Sequence, residues 1–181
     1  PPSGRFLLHP NRTTDLILFA GGSGITPILS IIKTALKRTN RNIQLIYANR
    51  DAQSVIFKST LDQLVSEYSS RFSCHHHFDQ EQGFLTQEII EPVVAERWQA
   101  DFYICGPGPF MDLVENVLEH HQVDNGQIAI ERFVSSLDPD RKVQEVAPQA
   151  PSDFKWQGLR NHLPEWNNIT RIRISRSGTA R

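Results

Sequence analysis

The sequence contains little cysteine and no long apolar run. Two cysteines, Cys74 and Cys105, occur among its 181 residues, too few for a disulfide-stabilised secreted scaffold and too far apart for a metal knuckle. No apolar stretch approaches the roughly 20 residues that a membrane-spanning helix requires, and residues 1–4 do not resemble a signal peptide. These absences predict a protein of the reducing cytoplasm.

An excess of charge of either sign is also missing. The chain carries 19 basic and 20 acidic residues, for a formal net charge of -1, which argues against the broad electrostatic field typical of proteins that bind nucleic acid or an anionic membrane. An apolar content of 39% in a chain of this length is enough for one substantial core. We therefore expect one domain with appended segments.

A glycine-rich turn is the most informative feature that is present. Residues 20–27, AGGSGITP, follow the apolar run 15–19 and precede the helical pattern 28–36, an order that predicts a strand, a turn and a helix. Glycines let a backbone approach a diphosphate closely, and the free N–H groups at a helix start bind its oxygens. The turn therefore predicts a nucleotide site, with a ligand-free tight turn as the alternative.

This turn differs from the common dehydrogenase fingerprint. Pro27 stands where the pattern G-x-G-x-x-G requires its third glycine, although a proline suits the first turn of a helix. Ser23 and Thr26 are candidates to cap the free N–H groups. The predicted nucleotide contacts in this turn are Gly21, Gly22, Ser23, Gly24, Thr26 and Pro27.

Five predicted strands alternate with helical patterns along the chain. They cover residues 15–19, 43–48, 72–78, 101–105 and 128–133. Alternation at this spacing predicts an α/β fold with a doubly wound, five-stranded parallel sheet, and we expect the order 3-2-1-4-5, with Pro92 bending or shortening one flanking helix. In that order the glycine clusters 21–24 and 106–108 flank one crevice at the carboxyl ends of the strands.

Four motifs carry a family resemblance. They are AGGSGITP at 20–27, YANRDAQSVIF at 47–57, CGPGPFM at 105–111 and Glu131-Arg132-Phe133. Over residues 1–136 the chain resembles the NAD(P)-binding domain of the ferredoxin-NADP reductase superfamily, most closely the reductase components of multicomponent oxygenases of the ketosteroid hydroxylase and phenylacetyl-CoA oxygenase types. The resemblance implies electron transfer from NADH or NADPH through FAD to a [2Fe-2S] centre and an oxygenase.

The resemblance also implies residue roles at the nicotinamide end of the site. Cys105 would face the nicotinamide and the flavin, where a small, soft side chain packs against both rings. Glu131 would orient the nicotinamide and Phe133 would cover the flavin. Buried structural roles are the alternatives for Cys105 and Phe133. The predicted contacts from the second glycine loop are Gly106, Pro107, Gly108, Pro109 and Met111.

Coenzyme choice is predicted from the end of the second strand, where Asn49 precedes Arg50 and Asp51. Arg50, with the Ser54 hydroxyl, would grip the 2′-phosphate of NADPH, whereas Asp51 would accept hydrogen bonds from the NADH ribose or pair with its neighbour. A solvated loop is the remaining interpretation. The YANRD string resembles the ketosteroid-type reductases most, which favours NADH slightly.

The resemblance predicts the domain organisation. We expect residues 1–14 to be a junction from a flavin-binding barrel, 15–136 the NAD(P)-binding domain, 137–151 a linker, and 152–181 a poorly ordered tail or a remnant of an iron–sulfur module. FAD and the [2Fe-2S] centre are then held by partners, a flavin-binding domain and a ferredoxin-type module or oxygenase component. The chain alone is expected to be inactive.

Other interpretations of the sequence remain open. His75 and His77 share one face of a strand, but no third metal ligand is evident, so no metal site is predicted. A nucleotide-binding or regulatory module without electron transfer is the alternative function. A flavodoxin-like protein that binds FMN directly at the first loop is a third.

Overall fold

The central strands of the sheet are formed by the apolar runs of the sequence. The structure is a computed structural model that describes residues 6–9 and 11–132. Its strands are β1 (Leu16–Gly21), β2 (Ile43–Asn49), β3 (Phe72–Phe78), β4 (Asp101–Cys105) and β5 (Ile128–Glu131). Every residue of β1 and of β4 is buried, as expected for parallel strands that are covered on both faces.

All strand pairs are parallel, and the order is β3-β2-β1-β4-β5. The predicted fold is therefore confirmed. The chain winds outward from β1 to β3 and then returns to the other side of β1, so the direction of winding reverses between β1 and β4. This order differs from the flavodoxin-like order 2-1-3-4-5 and so disfavours the third interpretation.

Helices cover the two faces of the sheet. They are α1 (Ile25–Arg38), α2 (Lys58–Glu67), α3 (Asp79–Gln82), α4 (Gln87–Glu96) and α5 (Gly108–His120). Alternate residues of β1 pack on opposite faces of the sheet. Leu16 and Leu18 lie in the core that includes α1, whereas Ile17 and Phe19 lie in the core that includes α4 and α5. Among the described residues, no helix has the length and apolar character required to cross a membrane.

Pro92 was expected to bend or shorten its helix, and it does not shorten it. Helix α4 continues through Pro92 to Glu96. Because Pro92 has no N–H group, the carbonyl of Glu88 lacks its usual helical hydrogen bond. Both residues are exposed, so water can bond to that carbonyl.

A buried ion cluster lies at the amino-terminal edge of the sheet. The Arg41 guanidinium and the Asp101 carboxylate pair with each other, and both side chains are almost fully buried. Arg12 binds the second carboxylate oxygen of Asp101, and Arg41 also donates to the carbonyl of Thr14. The cluster therefore ties the segment before β1 to the starts of β2 and β4.

Candidate functional site

The two glycine loops meet at the carboxyl edge of the sheet, beside the β1–β4 reversal. A Cβ atom at Gly106 would lie 3.1 Å from the Cα of Gly21, and one at Gly21 would lie 3.4 Å from the Cα of Gly106. The ring of Phe110 packs over both glycines, 2.7 Å from the Cβ position of Gly106 and 3.3 Å from that of Gly21. The loops thus share one edge, but they contact each other at this point rather than leaving a gap.

The glycines of the first loop have different structural roles. A Cβ at Gly24 would overlap the Cys105 carbonyl group and lie 2.8 Å from the Gly106 nitrogen. Gly22 has φ +51°, and no atom lies within 4 Å of its Cβ position. Gly21, Gly24 and Gly106 are therefore required for close packing of the loops, whereas the backbone at Gly22 faces open space and is accessible to a ligand.

Each glycine loop leads directly into a helix N-terminus. Helix α1 follows Gly24 with no side-chain cap, and helix α5 follows Pro107 with none. The predicted capping by Ser23 and Thr26 was wrong, because a 3-10 turn over Gly22–Gly24 places a glycine at the cap position. Pro27 lies in the first turn of α1 as expected. The uncapped N–H groups suit an anionic ligand such as a pyrophosphate.

Cys105 and Glu131 lie side by side at the ends of β4 and β5, as partners in the strand register. The Cys105 side chain is fully buried. Burial, followed by the charge of Glu131, raises the pKa of the Cys105 thiol to about 11, so the thiol is neutral near pH 7. Phe133, which was predicted to cover the flavin, lies outside the described residues. The predicted linker and tail lie outside them as well.

The residues after β2 pair with one another. The Asp51 carboxylate accepts hydrogen bonds from the Ser54 amide at 2.8 Å, the Ser54 hydroxyl at 2.7 Å and the Arg50 Nε at 2.8 Å. The Ser54 hydroxyl and then Arg50 lower the pKa of Asp51 to about 2. The Arg50 side chain is 73% exposed, so its terminal nitrogens remain available to a phosphate.

Asn49, the last residue of β2, is buried near the Tyr47 hydroxyl. Only 4% of the residue is exposed, and neither the oxygen nor the nitrogen of its carboxamide has a hydrogen bond within the described structure. Buried polar atoms are normally satisfied. The Asn49 carboxamide lies at the carboxyl end of a central strand beside the Tyr47 hydroxyl, and it is therefore available to a ligand or an ordered water.

Sequence reasoning missed Tyr47. Its ring is fully buried, and its hydroxyl donates to the Gly22 carbonyl at 3.0 Å and accepts from the Ile56 amide at 3.3 Å. The available signal was a tyrosine in an otherwise apolar buried strand, since a buried phenol hydroxyl requires a partner.

The side chain of one predicted site residue, Met111, does not reach the surface. Met111 is buried in the core that includes α4 and α5, because its position on α5 points towards the sheet. His77 is buried and contacts the Gly83 carbonyl at 2.8 Å, whereas His75 is exposed. Within residues 6–9 and 11–132, no three potential metal ligands lie together.

A sequence model of the oxidoreductase NAD-binding domain matches residues 18–116. The ferredoxin reductase component of 3-ketosteroid-9-alpha-monooxygenase from Mycobacterium tuberculosis is 38% identical over 155 residues, which cover 83% of this chain and 43% of that protein. A flavohemoprotein from Candida albicans is 29% identical over 143 residues, covering 74% and 35% of the two chains. The chain thus spans less than half the length of these relatives.

Solved structures share the fold. The cytochrome P450 reductase of Amycolatopsis superposes with a TM-score of 0.61 at 22% identity, over 75% of this chain and 43% of that one. The cytochrome b5 reductase domain of Ulva prolifera nitrate reductase gives 0.58 at 23% identity, over 67% and 49%.

Proposed function

Because the chain belongs to the oxidoreductase NAD-binding domain family of ferredoxin reductase-like enzymes, we propose that it binds NADH or NADPH at the joined glycine loops. The observation that carries this proposal is the open backbone of Gly22 beside the uncapped start of α1. The N–H groups there would hold the pyrophosphate. The unpartnered Asn49 and the exposed Arg50 would receive the adenosine end.

At the other end of the site, Cys105 and Glu131 are assigned to the nicotinamide. NADH or NADPH bound here would supply a hydride, which FAD on a partner domain would accept for onward electron transfer to a [2Fe-2S] centre and an oxygenase. Cys105 would pack next to the nicotinamide as a neutral, polarisable side chain and not as a nucleophile, although it is fully buried in this structure. Glu131 orients the ring through its carboxylate, and Phe133 is proposed to shield the flavin.

FAD and the iron–sulfur centre are assigned to partners. The sequence has two cysteines, and Cys74 and Cys105 lie on different strands with β2 and β1 between them, so these residues do not fit a four-cysteine cluster. FAD is assigned to a flavin-binding domain outside the described residues. The protein's own contribution is to bind and align the coenzyme.

Calorimetric titration with NADH, NADPH and FMN tests the binding proposal. We expect saturable binding of a nicotinamide coenzyme and none of FMN. Failure of both NADH and NADPH to bind the folded protein would overturn the proposal, and binding of FMN would revive the flavodoxin-like interpretation.

The alternative function is a nucleotide-binding or regulatory module without electron transfer, an interpretation that the fully buried Cys105 side chain favours. A flavin-binding domain added in trans separates the two functions. NAD(P)H-dependent reduction of ferricyanide that requires both components supports the oxidoreductase. Coenzyme binding without any such reduction supports the module.

A further inference from the structure

Two peptide groups in the proposed coenzyme site are not held by side-chain packing. In the first glycine loop, the Cβ position of Gly22 has no neighbour within 4 Å. In the loop between β2 and α2, Ile56 is 39% exposed and Phe57 is 42% exposed. Phe57 has φ 60°, a left-handed conformation that is costly for a bulky residue. Val55, on the amino side of the Ile56 peptide, packs partly against the core, whereas the exposed side chains that follow it contribute little to fixing that peptide.

The Tyr47 hydroxyl bonds to both peptide groups, and the Gly22 carbonyl also accepts from the Ile25 amide within its 3-10 turn. The hydroxyl oxygen is 3.0 Å from the Gly22 carbonyl oxygen, to which it donates, and 3.3 Å from the Ile56 nitrogen, from which it accepts. The Tyr47 ring is fully buried, and its residue pairs with Ala20 in the β1–β2 register. A rigid side chain anchored in the sheet thus joins the two loops through a single atom.

Asn49 lies beside this junction. It follows Tyr47 by two residues on the same face of β2. Burial raises the pKa of Tyr47, and the nearby Ile56 amide and Asn49 carboxamide oppose that rise. Both Asn49 amide atoms lack hydrogen bonds within the described residues. The junction therefore places the Asn49 carboxamide beside the hydroxyl that joins the two loops.

We propose that Tyr47 is a positioning residue that couples the glycine-rich loop to the β2–α2 loop, so that the pyrophosphate and adenosine ends of the coenzyme bind cooperatively. This inference rests on the proposed function. Ordering either loop fixes the shared hydroxyl, and the second loop then loses less conformational freedom on binding. Without the hydroxyl, each loop loses its conformational freedom independently when the coenzyme binds.

The matched test compares Tyr47→Phe with Tyr103→Phe. Tyr103 is also buried in the same core, and its hydroxyl donates to the Leu7 carbonyl at 2.9 Å, so each variant loses one buried hydroxyl. We expect Tyr47→Phe to weaken NADH binding about five- to tenfold, which corresponds to the net free energy of one hydrogen bond. Tyr103→Phe should change the NADH affinity by less than twofold. In ferricyanide reduction with the flavin-binding domain added in trans, we expect Tyr47→Phe to raise the KM for NADH and to leave kcat unchanged.

Equal NADH affinities for the two variants would overturn the coupling role. If the unmodified protein itself fails to bind NADH, the proposed function fails instead, so the two failures are distinguishable. Amide hydrogen exchange on the unmodified protein provides a measurement that does not depend on a variant folding. We expect the Ile56 amide to exchange at least tenfold more slowly than the amide of the exposed residue Gln53, and equal rates would overturn the inference.

A mutant cycle tests the coupling directly. Gly22→Ala changes one loop and Arg50→Ala changes the other. With Tyr47 present, we expect their effects on NADPH affinity to be non-additive in free energy by at least the equivalent of threefold, and with Tyr47→Phe we expect the two effects on NADPH affinity to be independent. Non-additivity that persists in the Tyr47→Phe background would contradict the proposal.

Discussion

The backbone of Gly24 lies against the carbonyl group of Cys105 with no room for a side chain between them. This contact joins the turn after β1 to the end of β4, and it therefore sets the relative position of the two glycine loops. A glycine at position 24 is explained by this packing, whereas the glycine at position 22 is explained by its φ of +51° and its open surroundings.

Gly24→Ala and Gly22→Ala should therefore have different effects. We expect Gly24→Ala to lower the free energy of unfolding by about 3 kcal/mol, because the methyl group overlaps backbone atoms. Gly22→Ala should cost only about 1–2 kcal/mol, the penalty for left-handed backbone, but should weaken NADH binding about tenfold by obstructing the proposed pyrophosphate site. Urea denaturation and calorimetry measure the two effects. Equal losses of stability would contradict this division of roles.

The ion cluster at the opposite edge should be essential for stability and irrelevant to binding. Asp101→Asn leaves the buried guanidinium of Arg41 without its counter-charge, and we expect the free energy of unfolding to fall by about 3–5 kcal/mol. The exposed pair Lys58–Asp62, whose side chains are 56% and 55% exposed, is the control, and Asp62→Asn should change stability by less than about 1 kcal/mol. A large change in the NADH affinity of folded Asp101→Asn protein would be inconsistent with this assignment.

Coenzyme discrimination should depend on Arg50. Its guanidinium uses Nε for Asp51 and is otherwise exposed, so it can bind the additional phosphate of NADPH. We expect Arg50→Ala to weaken NADPH binding about tenfold, as for loss of one charge-assisted contact, and to change NADH binding by less than twofold. Arg97→Ala, which removes an arginine that pairs with Asp15 at the other edge of the sheet, is the control. An unchanged ratio of the two affinities would eliminate the phosphate-binding role.

Stability should fall in alkaline solution because of the cysteines. Burial raises the pKa of Cys105 from 9.0 to about 11 and that of Cys74 from 9.0 to about 12. Below pH 9 both thiols are protonated in the folded and unfolded states, whereas above pH 9 the unfolded chain releases protons that the folded protein retains. The free energy of unfolding should therefore be constant up to about pH 9 and decline until about pH 12. Urea titrations across this range should show a shallower decline for the Cys74→Ala, Cys105→Ala double variant, and an identical slope would refute the assignment.

Much of the fold follows from local sequence patterns. The strands Phe72–Phe78 and Asp101–Cys105 begin and end where the sequence predicts. Strand order was predictable because alternating strands and helices permit few right-handed windings, and that order brings both glycine loops to one edge. The family motifs added the expected identity of the ligand.

Several features of the site depended on contacts that cross the sheet. Apolar periodicity indicates which residues are buried but not which backbone atoms meet, so Gly24, Gly106 and Gly22 looked equivalent in the sequence. Met111 was predicted as a site residue because it belongs to the CGPGPFM motif, but its position on α5 places its side chain in the core.

Residue pattern alone therefore determined the class of fold, the position of the loops and the kind of ligand to expect. The tertiary structure decided which glycines pack and which one is open, that neither Ser23 nor Thr26 caps a helix, and that one tyrosine hydroxyl reaches two loops. The physical reason is that strand register and helix rotation are set by the packing of the whole core, whereas turns and strands are specified by a few adjacent residues.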